Sequence, residues 1–140
     1  MRKIIISYRR ADSDAIAGRI RDRLASHFGE NSIFMDIDSI PFGTDFRDYI
    51  RDALFDGDVL VAVVGPKWLG PGKGSHLRIQ EENDPIRIEV ETALDRGIAV
   101  IPVLVNGALM PKPSELPSTL ANFAFRNAAE VRGKYPDLFR

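Results

Sequence analysis

Two rhythms of apolar residues run along this chain and divide it into alternating strands and helices. Lys3 to Ser7 is a short β-branched run with no polar interruption, as expected of a strand covered on both faces. Ile16, Ile20, Leu24 and Phe28 then recur at four-residue spacing, which predicts a helix capped by Asp12 or Ser13 and stopped at Gly29. Ser32 to Met35 reads as a second strand, and Asp36 to Gly43 (DIDSIPFG) reads as a loop from its Asp, Ser, Pro and Gly content. After a cap at Thr44 or Asp45, the positions Phe46, Tyr49, Ile50, Ala53 and Leu54 match the i, i+3, i+4, i+7, i+8 pattern of an amphipathic helix in full.

Asp58 to Val64 (DVLVAVV) and Ile98 to Val105 (IAVIPVLV) read as central parallel strands. Pro102 cannot donate to a ladder, so the second of these must either bulge or pair poorly on one side. A helix ending at Gly97 precedes it, with Asp84 placed to cap and Pro85 at the first helical position. Gly65 to Asn83 and Asn106 to Pro117 are loops, and Phe123 to Val131 is expected to be the last strand. The alternation predicts an α/β fold of flavodoxin-like architecture, a parallel sheet with helices on both faces. Ligands in such sheets bind outside the carboxyl ends of the strands, which selects Tyr8 to Asp12, Asp36 to Gly43, Gly65 to Trp68 and the start of the Asp84 helix as one rim.

Composition narrows the chemistry. The 140 residues suit a single domain spanning 1–140. The absence of cysteine excludes disulfides, thiolate metal sites and cysteine nucleophiles, and fits a reducing, cytoplasmic setting. With only His27 and His76, no metal site is expected. Nineteen basic and 20 acidic side chains leave a net charge of -1, so neither a nucleic-acid nor a membrane partner is expected. The opening MRKIIISYRR has too short an apolar run for a signal peptide, and no stretch approaches the ~20 apolar residues of a membrane span.

The common nucleotide motifs of this architecture fail on spacing. Gly65 leads to Gly70, but Pro71 stands where a Walker A loop needs lysine, and the first turn, SYRRADSD, has no glycine for a dinucleotide fingerprint. A phosphoacceptor site would need clustered acids where this chain has Ser7-Tyr8 and Val64-Gly65. The rim keeps arginines, aromatics and a glutamate. Arg9 and Arg10 leave the first strand as guanidinium forks able to hold phosphate, or else as groups paired with Asp12, Asp14 or Asp36. Glu89 falls on the border of a buried face made by Ile86, Val90, Ala93 and Leu94, where it can stabilise an oxocarbenium ion or pair with Arg87, Arg96 or a strand-end arginine. Helix geometry alone favours the pairing. Phe34 and Phe46 fit core packing, Phe42 stands in a loop between Pro41 and Gly43, Trp68 suits either role, and His76 reads as surface.

The blocks IIISYRRADS, IFMDIDSIPFGTDF, DVLVAVVGPKWL and IRIEVETALDRGIAVIPVLV, in that order, resemble the Toll/interleukin-1 receptor (TIR) domain family, specifically its bacterial branch, from Lys3 to about Val131. The resemblance implies a five-stranded parallel sheet. Many members hydrolyse NAD+ at the nicotinamide–ribose bond, giving nicotinamide and ADP-ribose or a cyclic variant, with NAD+ as substrate and no cofactor. The matching positions are Glu89 as the catalytic glutamate, Tyr8, Arg9 and Arg10 beside the substrate, and Phe34, Asp36 and Phe46 at the flanks of the BB loop. Within that loop Asp38, Ile40, Pro41, Phe42 and Gly43 are the expected contacts for homo-oligomerisation with other TIR domains. Several enzymatic members carry tryptophan four residues before the glutamate; Pro85 stands there in this chain, leaving Trp68 or a loop residue as the candidate substitute. The family usually closes with a helix, and the short Lys134 to Arg140 tail allows that the domain is cut from a longer protein with a fused effector or sensor domain. The alternative function is a non-catalytic interaction module in signalling, phage defence or host-signalling mimicry. TIR-type nucleotide synthesis on nucleic acid lacks a basic stripe to support it.

Overall fold

Five apolar runs become the strands of one parallel sheet in the structure, a computed structural model that describes residues 2–36 and 39–131. They are β1 (Ile4–Ser7), β2 (Ile33–Met35), β3 (Val59–Val64), β4 (Ala99–Leu104) and β5 (Ala129–Glu130), in the order β2-β1-β3-β4-β5. The helices between them are α1 (Arg10–Phe28), α2 (Phe46–Ala53) and α3 (Pro85–Asp95). The flavodoxin-like expectation holds, and the order reverses between β1 and β3, so the crevice of such sheets opens where those two strands end.

Strand periodicity sorts the core into two layers. Ile4, Ile6, Val61, Val63 and Val103 face α1 and pack on Ile16, Ala17, Ile20 and Leu24. Ile5, Leu60, Ala62, Val64 and Val100 face the other way and pack with Ile50 of α2, Leu54 at its end, and Ile86, Ile88, Val90 and Ala93 of α3. Asp45 caps α2 as expected, accepting the Arg47 N–H at 3.0 Å. Gly29 ends α1 at a φ of 92°, a conformation that favours glycine.

Four expectations need correction. Phe28, the last residue of the α1 stripe, is 39% exposed because the helix runs past the sheet there, and the Arg2 guanidinium lies over its ring. Neither Asp12 nor Ser13 caps α1, which starts at Arg10 and breaks its helical geometry at Ser13 (φ -146°, ψ 31°); the Asp12 carboxylate instead accepts the Lys67 N–H at 2.7 Å. The last strand is only Ala129–Glu130, since Ser118–Phe125 winds into a 3-10 helix that buries Leu120 and Phe123. Glu89 is buried rather than on a border, because α3 is covered by α2 and two 3-10 turns as well as by the sheet. Pro102 causes no bulge: β4 keeps register with β3 through Pro102 and meets β5 only at Val103 and Leu104, so it pairs poorly on one side.

Ile50→Ala removes a fully buried side chain and is expected to cost about 2–5 kcal/mol of stability. Phe28→Ala, at the more open end of its stripe, is expected to cost less, about 1–2 kcal/mol, and urea denaturation of both variants checks the assignment of layers.

Candidate active site

The carboxyl end of β1 delivers three consecutive side chains in three directions. Tyr8 turns into the α1 layer and is buried, while its hydroxyl donates a short hydrogen bond to Asp36 Oδ1. Burial first, and the Asp36 hydrogen bond second, push the phenol up to about 12. Arg10 points to solvent, and its Nη2 donates to Asp36 Oδ1 at 3.3 Å and to Ser39 Oγ at 2.7 Å. Asp36 thus sits between two donors at a φ of 59°, a left-handed conformation that aspartate tolerates better than most residues. Tyr8 and Arg10 together hold the root of the loop that follows β2.

Arg9 turns inward. Its Nη1 and Nη2 donate to the two carboxylate oxygens of Asp84 at 2.8 and 2.6 Å, and its Nε donates to the Trp68 carbonyl. Both charged side chains are buried, the arginine 6% exposed and the aspartate not at all. The fork expected to hold a phosphate is therefore spent inside the protein, and its partner is none of the three aspartates that spacing suggested. Asp84 occupies the cap position of α3, yet its side chain makes no cap hydrogen bond. Its backbone is extended, as the residue before a proline should be, and its carbonyl closes the first turn by accepting Ile88 N–H at 3.0 Å.

Around this pair lies a cleft of about 370 Å³, lined by residues 8–12, Lys67, Gly70, Pro71, Arg78 and Asp84 to Ile86. Arg10, Lys67 and Arg78 place three exposed cationic side chains on it, and Arg78 Nη2 approaches Asp84 Oδ1 at 3.8 Å. Gly70 makes this wall possible: its φ is 72°, and a Cβ there would lie 2.6 Å from Arg78 Cβ. Glu89 stands one turn beyond the Pro85–Ile86 wall of the cleft, 2% exposed, and is not among the lining residues. A larger cleft of about 540 Å³ lies along the other flank of α3 between Arg51, Glu91, Asp95 and Thr119. It reaches toward the amino edge of the sheet, and Glu91 there is already bonded to Arg87 and Thr119. Among the described residues no group of three or more His, Cys, Asp or Glu side chains converges as a metal site would require.

A model of the TIR domain family matches residues 4–136. The chain belongs to the TIR domain family. Among solved structures it resembles the TIR domains of the activated Roq1 resistosome directly recognizing the pathogen effector XopQ, with a TM-score of 0.66 and 12% identity over 96% of this chain and 90% of that one. No curated protein matches. At that identity the structural likeness shows the fold.

The remaining residues expected at the site divide. Ile40 and Phe46 are partly buried against the core beside α2, whereas Pro41, Phe42 and Gly43 are exposed, Phe42 completely. Asp38 lies outside the described residues. Phe34 is not in the cleft: it is 38% exposed on edge strand β2, with the Lys3 ammonium 5.2 Å above its ring. The Trp68 ring is not there either, being buried and stacked on Phe123 at 5.0 Å; only its carbonyl reaches the site, so it does not replace the missing tryptophan. His76 is on the surface as expected, 2.8 Å from Glu81. Lys67 fell within the expected Gly65 to Trp68 rim without being singled out for its charge, and Arg78 and the pairing role of Asp84 escaped the sequence reading, Arg78 because an irregular loop has no periodicity to place it. A cap aspartate facing two strand-end arginines was the available signal for Asp84.

Because its folded-state value is raised, Tyr8 contributes stability that is full below pH 10.0 and is lost as pH climbs toward 12. A difference titration of phenolate absorbance, wild type minus Tyr8→Phe, is expected to show a midpoint near 12. Asp36→Asn is expected to lower that midpoint while leaving it above 10.0, since burial is the larger cause. A midpoint indifferent to Asp36→Asn contradicts the assignment.

Proposed function

We propose that this TIR domain cleaves NAD+ at the nicotinamide–ribose bond, acting as a cytoplasmic hydrolase or cyclase that needs no metal or cofactor and is activated by self-association. The observation that carries the reading is Glu89: a carboxylate buried on α3, one turn behind the wall of a cleft rimmed by Arg10, Lys67 and Arg78. The cations suit the diphosphate of a dinucleotide, and a carboxylate withdrawn from water stabilises nearby positive charge more strongly than an exposed one.

In the proposed reaction the bond from ribose C1′ to the pyridinium nitrogen breaks with its electrons going to that nitrogen. Nicotinamide leaves neutral and the ribose takes on oxocarbenium character. Glu89 opposes that charge. Water adding to C1′ and losing a proton gives ADP-ribose, whereas attack by an adenine nitrogen gives a cyclic product. Since Glu89 does not line the cleft in this conformation, substrate entry requires movement beside it, and the loop held by Asp36 is the proposed gate. Phe42, fully exposed between Pro41 and Gly43 on that loop, supports self-association through it.

Nicotinamide release from NAD+ at high protein concentration tests the reading. Wild type is expected to release nicotinamide, and Glu89→Ala is expected to lose about 100-fold or more of that rate while still associating. Chromatography of the second product distinguishes hydrolase from cyclase. Absence of release from wild type, even when fused to an oligomerising partner, assigns the domain to non-catalytic assembly instead.

A further inference from the structure

We propose that Arg9 and Asp84 are a positioning pair, which fixes the first turn of α3, and through it Glu89, against the carboxyl end of β1. The inference rests on the function proposed above and assigns Arg9 a role other than substrate contact. Three observations carry it. The guanidinium is satisfied from within the protein on three of its edges, by both oxygens of Asp84 and by the Trp68 carbonyl, so it has little left to offer an anion. Asp84 gives up the cap hydrogen bond that an aspartate ordinarily makes at that position, and commits its carboxylate to a residue 75 positions earlier. Finally, the pair is withdrawn from water, where the desolvation cost offsets the attraction between the charges, so that it defines geometry more than it adds stability.

The start of α3 is also held by the Asp84 N–H on the Glu81 carbonyl at 3.2 Å, by Arg87 Nη1 on the Gln80 carbonyl at 2.8 Å and by the buried Ile86, and the Arg9 fork is the contact that ties it to the turn after β1. Pro85 has no N–H, and the first turn closes through the hydrogen bond from Ile88 N–H to the Asp84 carbonyl. Glu89 follows Asp84 by five residues, about 7.5 Å along a helix of ordinary rise, so a shift at Asp84 is transmitted to it almost undiminished. The bidentate fork fixes distance and orientation together, which a lysine does not do. The flanking residues Tyr8 and Arg10 hold Asp36 at the root of the loop, and one short strap therefore joins loop, strand end and helix.

The test compares kcat and KM for NAD+, together with hydrogen exchange of the Ile88 and Glu89 amides, in wild type, Arg9→Lys and the double variant Arg9→Met/Asp84→Leu. The double variant replaces both buried charges with apolar groups, a change that often leaves stability intact. It is expected to melt within a few degrees of wild type, to lose about tenfold or more in kcat, and to hold KM within about threefold. Arg9→Lys is expected to fall in the same direction, and carries the test if the double variant does not fold. In both, the α3 amides are expected to exchange about tenfold faster. A folded double variant with wild-type kcat, or a loss confined to KM, overturns the proposal. If wild type cleaves no NAD+, the function proposed above fails by itself, and the exchange rates still decide the pair: unchanged protection in Arg9→Lys overturns it.

Discussion

Two opposite charges are held out of water at the carboxyl edge of the sheet, where Arg9 meets Asp84 through two hydrogen bonds of 2.8 and 2.6 Å. Removing Asp84 would leave the guanidinium buried with only the Trp68 carbonyl, and removing Arg9 would leave Asp84 with only the 3.8 Å approach of Arg78, so the contact is costly to lose one partner at a time. It also decides what surrounds it. The guanidinium draws the Trp68 carbonyl inward, so the turn after β3 is closed around the end of β1. The aspartate is taken from its cap role, so α3 begins where Arg9 can reach it. Tyr8 and Arg10, on either side, are directed by the same turn toward the α1 layer and toward solvent, where both meet Asp36.

The site inherits its chemistry from that arrangement. With Arg9 neutralised inside the protein, the charge that the cleft presents comes from Arg10, Lys67 and Arg78, residues from two different segments brought together by the close approach of Gly70 to Arg78. Glu89 lies behind the cleft instead of in its lining, which withdraws the carboxylate from solvent. Membership of the TIR family is shown by a match over residues 4–136, and the 12% identity to the Roq1 TIR domains extends only to fold. The proposed NAD+ chemistry thus depends on what these particular side chains do.

Much of the fold was legible because burial leaves a periodic trace. The β-branched runs from Lys3 and Asp58 and the apolar stripe from Phe46 to Leu54 were each recognisable, and each formed the expected element. The failures share a cause, which is that periodicity reports a face without reporting its neighbour. Phe28 continues the spacing of α1 but finds no sheet beneath it. Glu89 looks like a border residue when α3 is imagined against a sheet alone, and is buried once α2 and the 3-10 turns cover its flank. Phe123 to Val131 has strand-like composition, yet Phe123 is used to stack on Trp68, and only Ala129–Glu130 pairs with β4. At the site, Tyr8, Arg10 and Asp36 were correctly brought together. The partner of Arg9 was not, since a contact spanning 75 residues leaves no local spacing to read.

The organising role of the buried pair is tested most directly by a double-mutant cycle in urea denaturation, using Arg9→Met, Asp84→Leu and the combination. Each single variant is predicted to lose roughly 3–5 kcal/mol and the combination to recover most of it, leaving a coupling energy above about 2 kcal/mol. Single effects that add to within about 0.5 kcal/mol would contradict the account, because two charges that stabilise independently cannot be what holds the strand end to the helix.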